Sequence, residues 1–333
     1  MLPTERLGRL VHQGGFTQER IVFLLALMLF AVFSASLPGF ATVDNILPLL
    51  RNVSVLGILG LAMALVIIGR GIDLSLVATM VIAVAWALSL ATPGDSAIVP
   101  LLLGLALVLV VGIANGILIA YVEISALFAT LGTWAVIYGF GMFALLSQEI
   151  IPLSTDWGGV QFLGTGSLLG IPMPVVVFCI VAFLSWLFLR YARAGLYVRA
   201  IGDNPQTARL TGIGVRPVIC LQYVLSAVIG YLAGIVTAAT VATMNTRVAN
   251  SSLVYDVILV VVLGGIGLSG GKGGVRNVIV GTLLIGILIN GMTIMNLEYT
   301  TQNIIKSVIL LIAIVVDSVL NPRDEQTAQQ GDI

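Results

Sequence analysis

Long uncharged runs constrain this chain more than any motif does. About ten apolar segments lie near 21–37, 52–69, 74–91, 97–120, 124–146, 173–189, 217–240, 254–265, 276–295 and 303–320. A helix needs about 20 apolar residues to cross a hydrocarbon core. Nearly all of these segments approach that length; the eighth is too short for a simple helical crossing. It is expected to be broken, or to extend back toward Asn250. A soluble fold could not hide this much apolar surface, since 59% of the residues are hydrophobic and only 9% charged, against about 25% charged in an ordinary soluble domain. The expected fold is an all-α polytopic membrane protein of about ten transmembrane helices. A net charge of zero argues against a nucleic-acid partner. Cys179 and Cys220 both sit in apolar runs and read as packing residues rather than a disulfide or a metal pair.

Charge orients the set. With residues 1–20 as a cytoplasmic segment, twelve of the fifteen basic residues fall on the cytoplasmic side, and Arg51, Arg247 and Lys306 fall outside. Cytoplasmic loops of membrane proteins carry such an excess. The N-terminal segment is polar, with Arg6, Arg9, His12 and Arg20, and no small-residue cleavage site follows the first apolar run. That run is expected to be a retained span. An even number of spans then returns the C-terminus to the cytoplasm, and residues 321–333 are expected to form a disordered tail after a permease domain over 21–320.

One loop imitates an active site. In GGIGLSGGKGG (264–274), Gly265, Gly267 and Gly270 spell the dinucleotide pattern, and Gly267, Ser269 and Gly271 spell the nucleophile elbow. Gly271-Lys272 looks like the end of a phosphate loop. Each reading fails on its chemistry. The dinucleotide fold needs an acid about 20 residues on, where Asn290 stands. The phosphate loop needs Gly where Ile266 stands, and Ser or Thr where Gly273 stands. The elbow needs a base, and the one histidine is His12. Seven glycines in eleven residues suit a close-packed turn instead. No enzyme is expected here, and no cofactor or metal is expected to bind this chain.

The segment 190–216 is more informative. Five arginines make it cytoplasmic. Asn204 is a good N-cap, Pro205 suits the first helical position, and Gly212 is a natural stop. A short helix over 205–211 is therefore expected on the cytoplasmic surface.

Residues 199–215, RAIGDNPQTARLTGIGV, resemble the coupling segment of permease subunits in carbohydrate ABC importers of the ribose/xylose/arabinose type. Further blocks are similar to that family in order along 40–320. They include IGRGIDLSL, GIANGILIA, ATLGTWAVIYG, FLGTGSLLGIPMPV, YDVILVVVLGGIGLSGGKGG, GTLLIGILINGM and KSVILLIAIVVDS. The sequence departs from the family pattern at Arg70, Val77, Tyr138 and Val254, which leaves the particular sugar open. The resemblance implies a bacterial inner-membrane permease that imports a monosaccharide or related polyol by alternating access. A nucleoside or signalling furanose is the alternative solute, and a secondary transporter the more distant one. It also implies three kinds of partner: cytoplasmic ATPase subunits that hold ATP and Mg, a periplasmic binding protein, and a second permease copy, identical or paralogous. Contact with the ATPase would fall to Ala200, Ile201, Gly202, Asp203, Asn204, Pro205, Ala208, Arg209 and Gly212.

Polar residues at membrane depth are costly and so are candidates for the solute route: Asp73, Ser75, Asn115, Thr133, Trp134, Tyr138, Asp256 and Asn290. Each has a structural alternative. Asp73 could pair with Arg70 or cap the following helix, Asn115 and Asn290 could bond neighbouring helices, and Asp256 and Asp317 could be interfacial. Trp134 and Tyr138 could face lipid.

Overall fold

A computed structural model describes residues 18–320. The polar segment with Arg6, Arg9 and His12 and the tail 321–333 with Arg323 lie outside the described residues. Helices occupy all ten expected apolar segments. They are α1 (Gln18–Ser36), α2 (Val43–Ile68), α3 (Leu76–Ser89), α4 (Ile98–Ala120), α5 (Ala126–Phe140, continued by a π-turn over Gly141–Leu145), α7 (Met173–Tyr191), α10 (Val215–Val241), α11 (Leu253–Leu263), α12 (Val275–Ile294) and α13 (Tyr299–Leu320). Among the described residues, eight helices are long and apolar enough to cross a membrane.

The two short helices explain their own position. α3 has 14 residues and α11 has 11, or roughly 21 and 17 Å at 1.5 Å per residue, well short of a core of about 30 Å. α3 is apolar on every side and α11 is apolar after Asp256 in its first turn, which suits helices enclosed by others. The chain encloses them accordingly: nearly every residue of α3 and Asp256–Val262 of α11 are buried. α2 joins them at the centre, and α10, α4 and α12 pack around this core. The periphery falls to α1 and α13. On α13, Ile304, Val308, Leu311 and Val315 form an exposed apolar stripe at helical spacing.

Small residues set the closest approaches. A Cβ at Gly116 of α4 would lie 2.6 Å from Cys220 Cα of α10, so only glycine allows these two helices to meet there.

The two polar loops hold more structure than their composition suggests. In 147–172, β1 (Ile150–Pro152) pairs antiparallel with β4 (Thr243–Asn245), in the register Ile151↔Met244. α6 (Gly158–Thr165) follows, and β2 (Ser167–Leu168) pairs with β3 (Ile171–Pro172). Leu169 and Gly170, both at positive φ, turn that hairpin. β4 leads through a 3₁₀ turn (Thr246–Asn250) into α11. The short eighth segment is thus preceded by an irregular entry rather than extended as a helix.

In 190–216 the structure has α8 (Arg193–Asp203) as well as α9 (Pro205–Leu210). The sequence reading anticipated only the second of these helices. Two of the three basic residues assigned to the outer side lie within helices. Arg51 lies inside α2 and Lys306 inside α13, where Lys306 is 6% exposed. Neither is in a loop, so Arg247 is the only one of the three outer charges that remains outside these long helices.

Candidate functional site

Three groups of polar side chains interrupt the apolar bundle. The first lies at the break between α2 and α3, GRGIDLS. α2 ends in a Schellman pattern: Arg70 N–H donates to Ile67 O and Gly71 N–H to Val66 O, both at 2.9 Å. This places Arg70 at φ 68°, in the left-handed region where glycine is the usual residue. The chain then bends through Asp73, which is 2% exposed. Its Oδ1 accepts from Ser75 N–H at 3.0 Å and from Ser75 Oγ at 2.6 Å. Asn115 Nδ2 on α4 donates to Ser75 Oγ at 2.8 Å. Thr130 of α5 accepts from Leu74 N–H, and Tyr223 of α10 reaches Ile72 O.

Asp73, Ser75 and Asn115 therefore form one cluster. Local capping is also the geometry that Asp73 adopts. Sequence reading missed Thr130, Gln222, Tyr223 and Ser226. Gln222 and Ser226 are buried and lie on the α10 face, four residues apart, that continues to Gly230. Gln222 packs on Gly69 and Gly230 on Leu76, so this face runs along the break. Polar residues at i, i+4 beside a glycine could have signalled it.

The other predicted route residues do not join that cluster. Trp134 and Tyr138 stack on α5 with centroids 6.4 Å apart. Trp134 Nε1 is held by Ala249 O at 3.1 Å, and Thr133 bonds its own helix at Ala129 O. Asn290 exchanges two amide hydrogen bonds with Asn45, at 2.9 and 3.0 Å, which joins α12 to α2. Asp256 forms a buried ion pair with Lys306 at 2.7 Å between α11 and α13. The side chains so placed serve three different helix contacts, and Asn45 and Lys306 were not among the sequence candidates. An isolated lysine within the last apolar run was the available signal for Lys306.

The third group lies at the opposite end of α10 from β4. Asn204 Oδ1 accepts from Gln206 N–H and Thr207 N–H, at 2.9 and 3.0 Å, and caps α9. Gly212, at φ 84°, closes the helix in a Schellman pattern, with Ile213 N–H on Ala208 O. Ile201, Gly202 and Ala208 turn inward, Ala200 is half-buried, and Asp203, Arg209, Leu210 and Gly212 face out. Leu210 is 88% exposed.

The glycine loop 264–274 meets this end. Gly271 N–H donates to Ile68 O at 2.8 Å, and a Cβ on Gly202 would strike both atoms of that bond. Gly271, at φ 75°, has no room for a side chain against Asp203. Leu268 N–H is held by Asp317 at 3.3 Å, and Gly264 O by Asn277 at 2.7 Å. The loop's backbone groups bond to the protein itself, in keeping with a packing turn. It locks the end of α8 to the end of α2, immediately before the Asp73 break.

A family model described as "Branched-chain amino acid transport system / permease component" matches residues 45–316. The chain belongs to that permease family. It is similar to the ribose import permease protein RbsC of Escherichia coli (strain K12), with 31% identity over 93% of this chain and 97% of the relative. It is also 32% identical to the galactofuranose transporter permease protein YtfT of the same strain, over 81% of this chain and 78% of the relative. The fructose import permease protein FrcC of Rhizobium meliloti is 27% identical over 94% of this chain and 88% of the relative. No solved structure matches the chain. Membership makes it a transport subunit of the inner membrane, and the long apolar helices agree. The resemblance found in the sequence is borne out by these matches.

Proposed function

We propose that this chain is the permease subunit of an ATP-driven importer that moves a monosaccharide or related polyol from periplasm to cytoplasm. The family description names branched-chain amino acids, whereas relatives matching four-fifths of the chain or more are named for ribose, galactofuranose and fructose. Similarity over that length supports a sugar as the solute. In this reading both termini are cytoplasmic and the α8–α9 end faces a partner ATPase, which binds ATP and Mg. A periplasmic binding protein delivers the sugar at the β1–β4 end, and a second permease copy completes the transporter.

The observation that carries the coupling assignment is the capped surface helix α9 with Leu210 at its tip. A large apolar side chain left 88% exposed on a helix fixed at both ends is a ready anchor for a protein groove. Behind it, the backbone joint of Gly202, Gly271 and Ile68 connects α8 to the core. Closure of two ATPase subunits on ATP would shift α8 and α9, move the end of α2, and reorient α3 and α10. Alternating access then follows as an exchange between two packed arrangements that nucleotide binding biases.

Co-purification of the ATPase and sugar uptake in cells test this directly. Leu210→Glu, or removal of 204–210, is expected to abolish both while the permease still reaches the membrane. Intact uptake and association in these variants would refute the coupling assignment.

A further inference from the structure

Lys306 and Asp256 deserve a role that neither family membership nor the packing supplies. A cleft of about 270 Å³ opens between α11 and α13, roughly nine water volumes at ~30 Å³ each, room for the ten or so heavy atoms of a pentose. Ser252, Tyr255, Asp256, Asn303 and Lys306 line it beside the apolar Leu259, Leu310, Leu311 and Ile314, and the Tyr299 hydroxyl reaches Ser252 at its edge. Lys306 Nζ donates to Asp256 Oδ2 at 2.7 Å and approaches Ser252 Oγ at 3.4 Å. Ser252 Oγ bonds Asn303 Oδ1 at 2.9 Å and the Tyr299 hydroxyl at 3.1 Å. Lys306 also lies 5.9 Å from the Tyr299 ring centre. Tyr299 and Tyr255 are 60% and 58% exposed, while Lys306 and Asp256 are 6% and 8% exposed.

These residues occupy one face of α13, at 299, 303 and 306. The exposed apolar Ile304, Val308 and Val315 occupy another, and Leu311 lines the cleft itself. An ion pair bordering an open cleft is costly against hydrocarbon, and such groups line water-filled routes instead. Lys306 stands seven residues into the helix, about 10 Å along its axis, on the side of the bundle that carries the β1–β4 pair.

We infer that this cleft is a solute subsite on the import route and takes an uncharged polyhydroxyl ligand. The inference rests on the permease reading above and specifies where that permease holds its solute. A sugar hydroxyl both donates and accepts, so it needs donors and acceptors interleaved within a few ångströms. The ammonium and the carboxylate supply that alternation, and the serine and tyrosine hydroxyls and the Asn303 amide extend it. The pair is neutral as a unit, so an uncharged ligand leaves its balance intact, and the exposed Tyr255 ring offers a face to the ligand's carbon skeleton.

The complete transporter, with its ATPase and binding protein, would be reconstituted in liposomes and supplied with ATP and radiolabelled D-ribose, D-fructose or D-galactose. Uptake and ATP hydrolysis would be read together. The apolar pair Asp256→Leu with Lys306→Met keeps the contact without its hydrogen bonds. It is expected to move at least about tenfold less sugar per ATP hydrolysed, with ATPase co-purification and the thermal midpoint retained. Asn303→Ala, which keeps the ion pair, is expected to lower the same ratio about threefold if the apolar pair fails to fold. A structural strut would lower transport and hydrolysis in proportion, and full recovery by the charge-swapped pair Asp256→Lys with Lys306→Asp would also mark a strut. Either result, or a wild-type ratio in Asn303→Ala, overturns the subsite. If the unmodified transporter imports none of the three sugars, the sugar-permease reading falls, and the subsite with it.

Discussion

Asp73 and Asp256 are both almost fully enclosed, at 2% and 8% exposure, yet their partners differ in kind. Asp73 is held by Ser75, two residues along the chain, and its cluster is completed by neutral groups on α4, α5 and α10. Asp256 is held by a cation 50 residues away, on a peripheral helix beside an open cleft. The first arrangement fixes a bend in the backbone at the centre of the bundle. The second ties two helices together across their boundary with charge. A carboxylate at membrane depth is thus not one kind of signal: its partners and its access decide between a joint and a site.

The sharpest way to break this contrast is to remove the cation. Lys306→Met leaves a buried carboxylate with no counter-charge and is expected to cost about 3–5 kcal/mol of stability, read as a fall in the thermal midpoint of the detergent-purified permease. At Asp73 the expected losses are smaller. Asp73→Ala removes the acceptor of two buried hydrogen bonds and should cost about 1–3 kcal/mol. Asp73→Asn keeps an oxygen in the same place and should cost less than about 1 kcal/mol. A loss in Asp73→Asn as large as in Lys306→Met would show that the negative charge itself is required, and the contrast would collapse. For the route reading, uptake decides: a transport defect in Asp73→Asn with preserved expression supports it, and normal uptake counts against it.

What was legible in the sequence follows from the range of the forces involved. Hydropathy acts over about 20 consecutive residues, so the ten apolar segments could be read directly, including the shortness of the one that became α11. Capping acts over three or four residues, so Asn204, Pro205 and Gly212 announced α9. Long-range pairs leave no such local trace. Asn45 and Asn290 meet across 245 positions, and Gly271 meets Ile68 across more than 200. A charge count gives Lys306 a side of the membrane but not its burial against Asp256. α8 was missed because its glycines and arginines resemble a loop; only the inward set Val198, Ile201 and Gly202, spaced three and four apart, reveals its helical face. The glycine loop was legible as a packing turn, but not as the clasp that joins α8 to α2.

The geometry of the central bend itself can be tested at Arg70. Arg70 sits at φ 68°, a conformation that costs a residue with a Cβ roughly 1–2 kcal/mol. The Schellman ending of α2 places residue 70 where glycine is the usual residue. Arg70 also packs on Gly270, so replacing it changes side-chain contacts as well as backbone strain. Two variants separate these effects. Arg70→Ala and Arg70→Gly both lose the guanidinium and its stem, and they differ only in the Cβ. The glycine variant is expected to be the more stable by about 1 kcal/mol, since relief of the left-handed strain exceeds the added freedom of the unfolded chain. Thermal unfolding of the two, side by side in the same detergent, measures that difference. If alanine is equal or better, the bend does not hold residue 70 in the left-handed region, and the rigid joint ascribed to the Asp73 region loses its first turn.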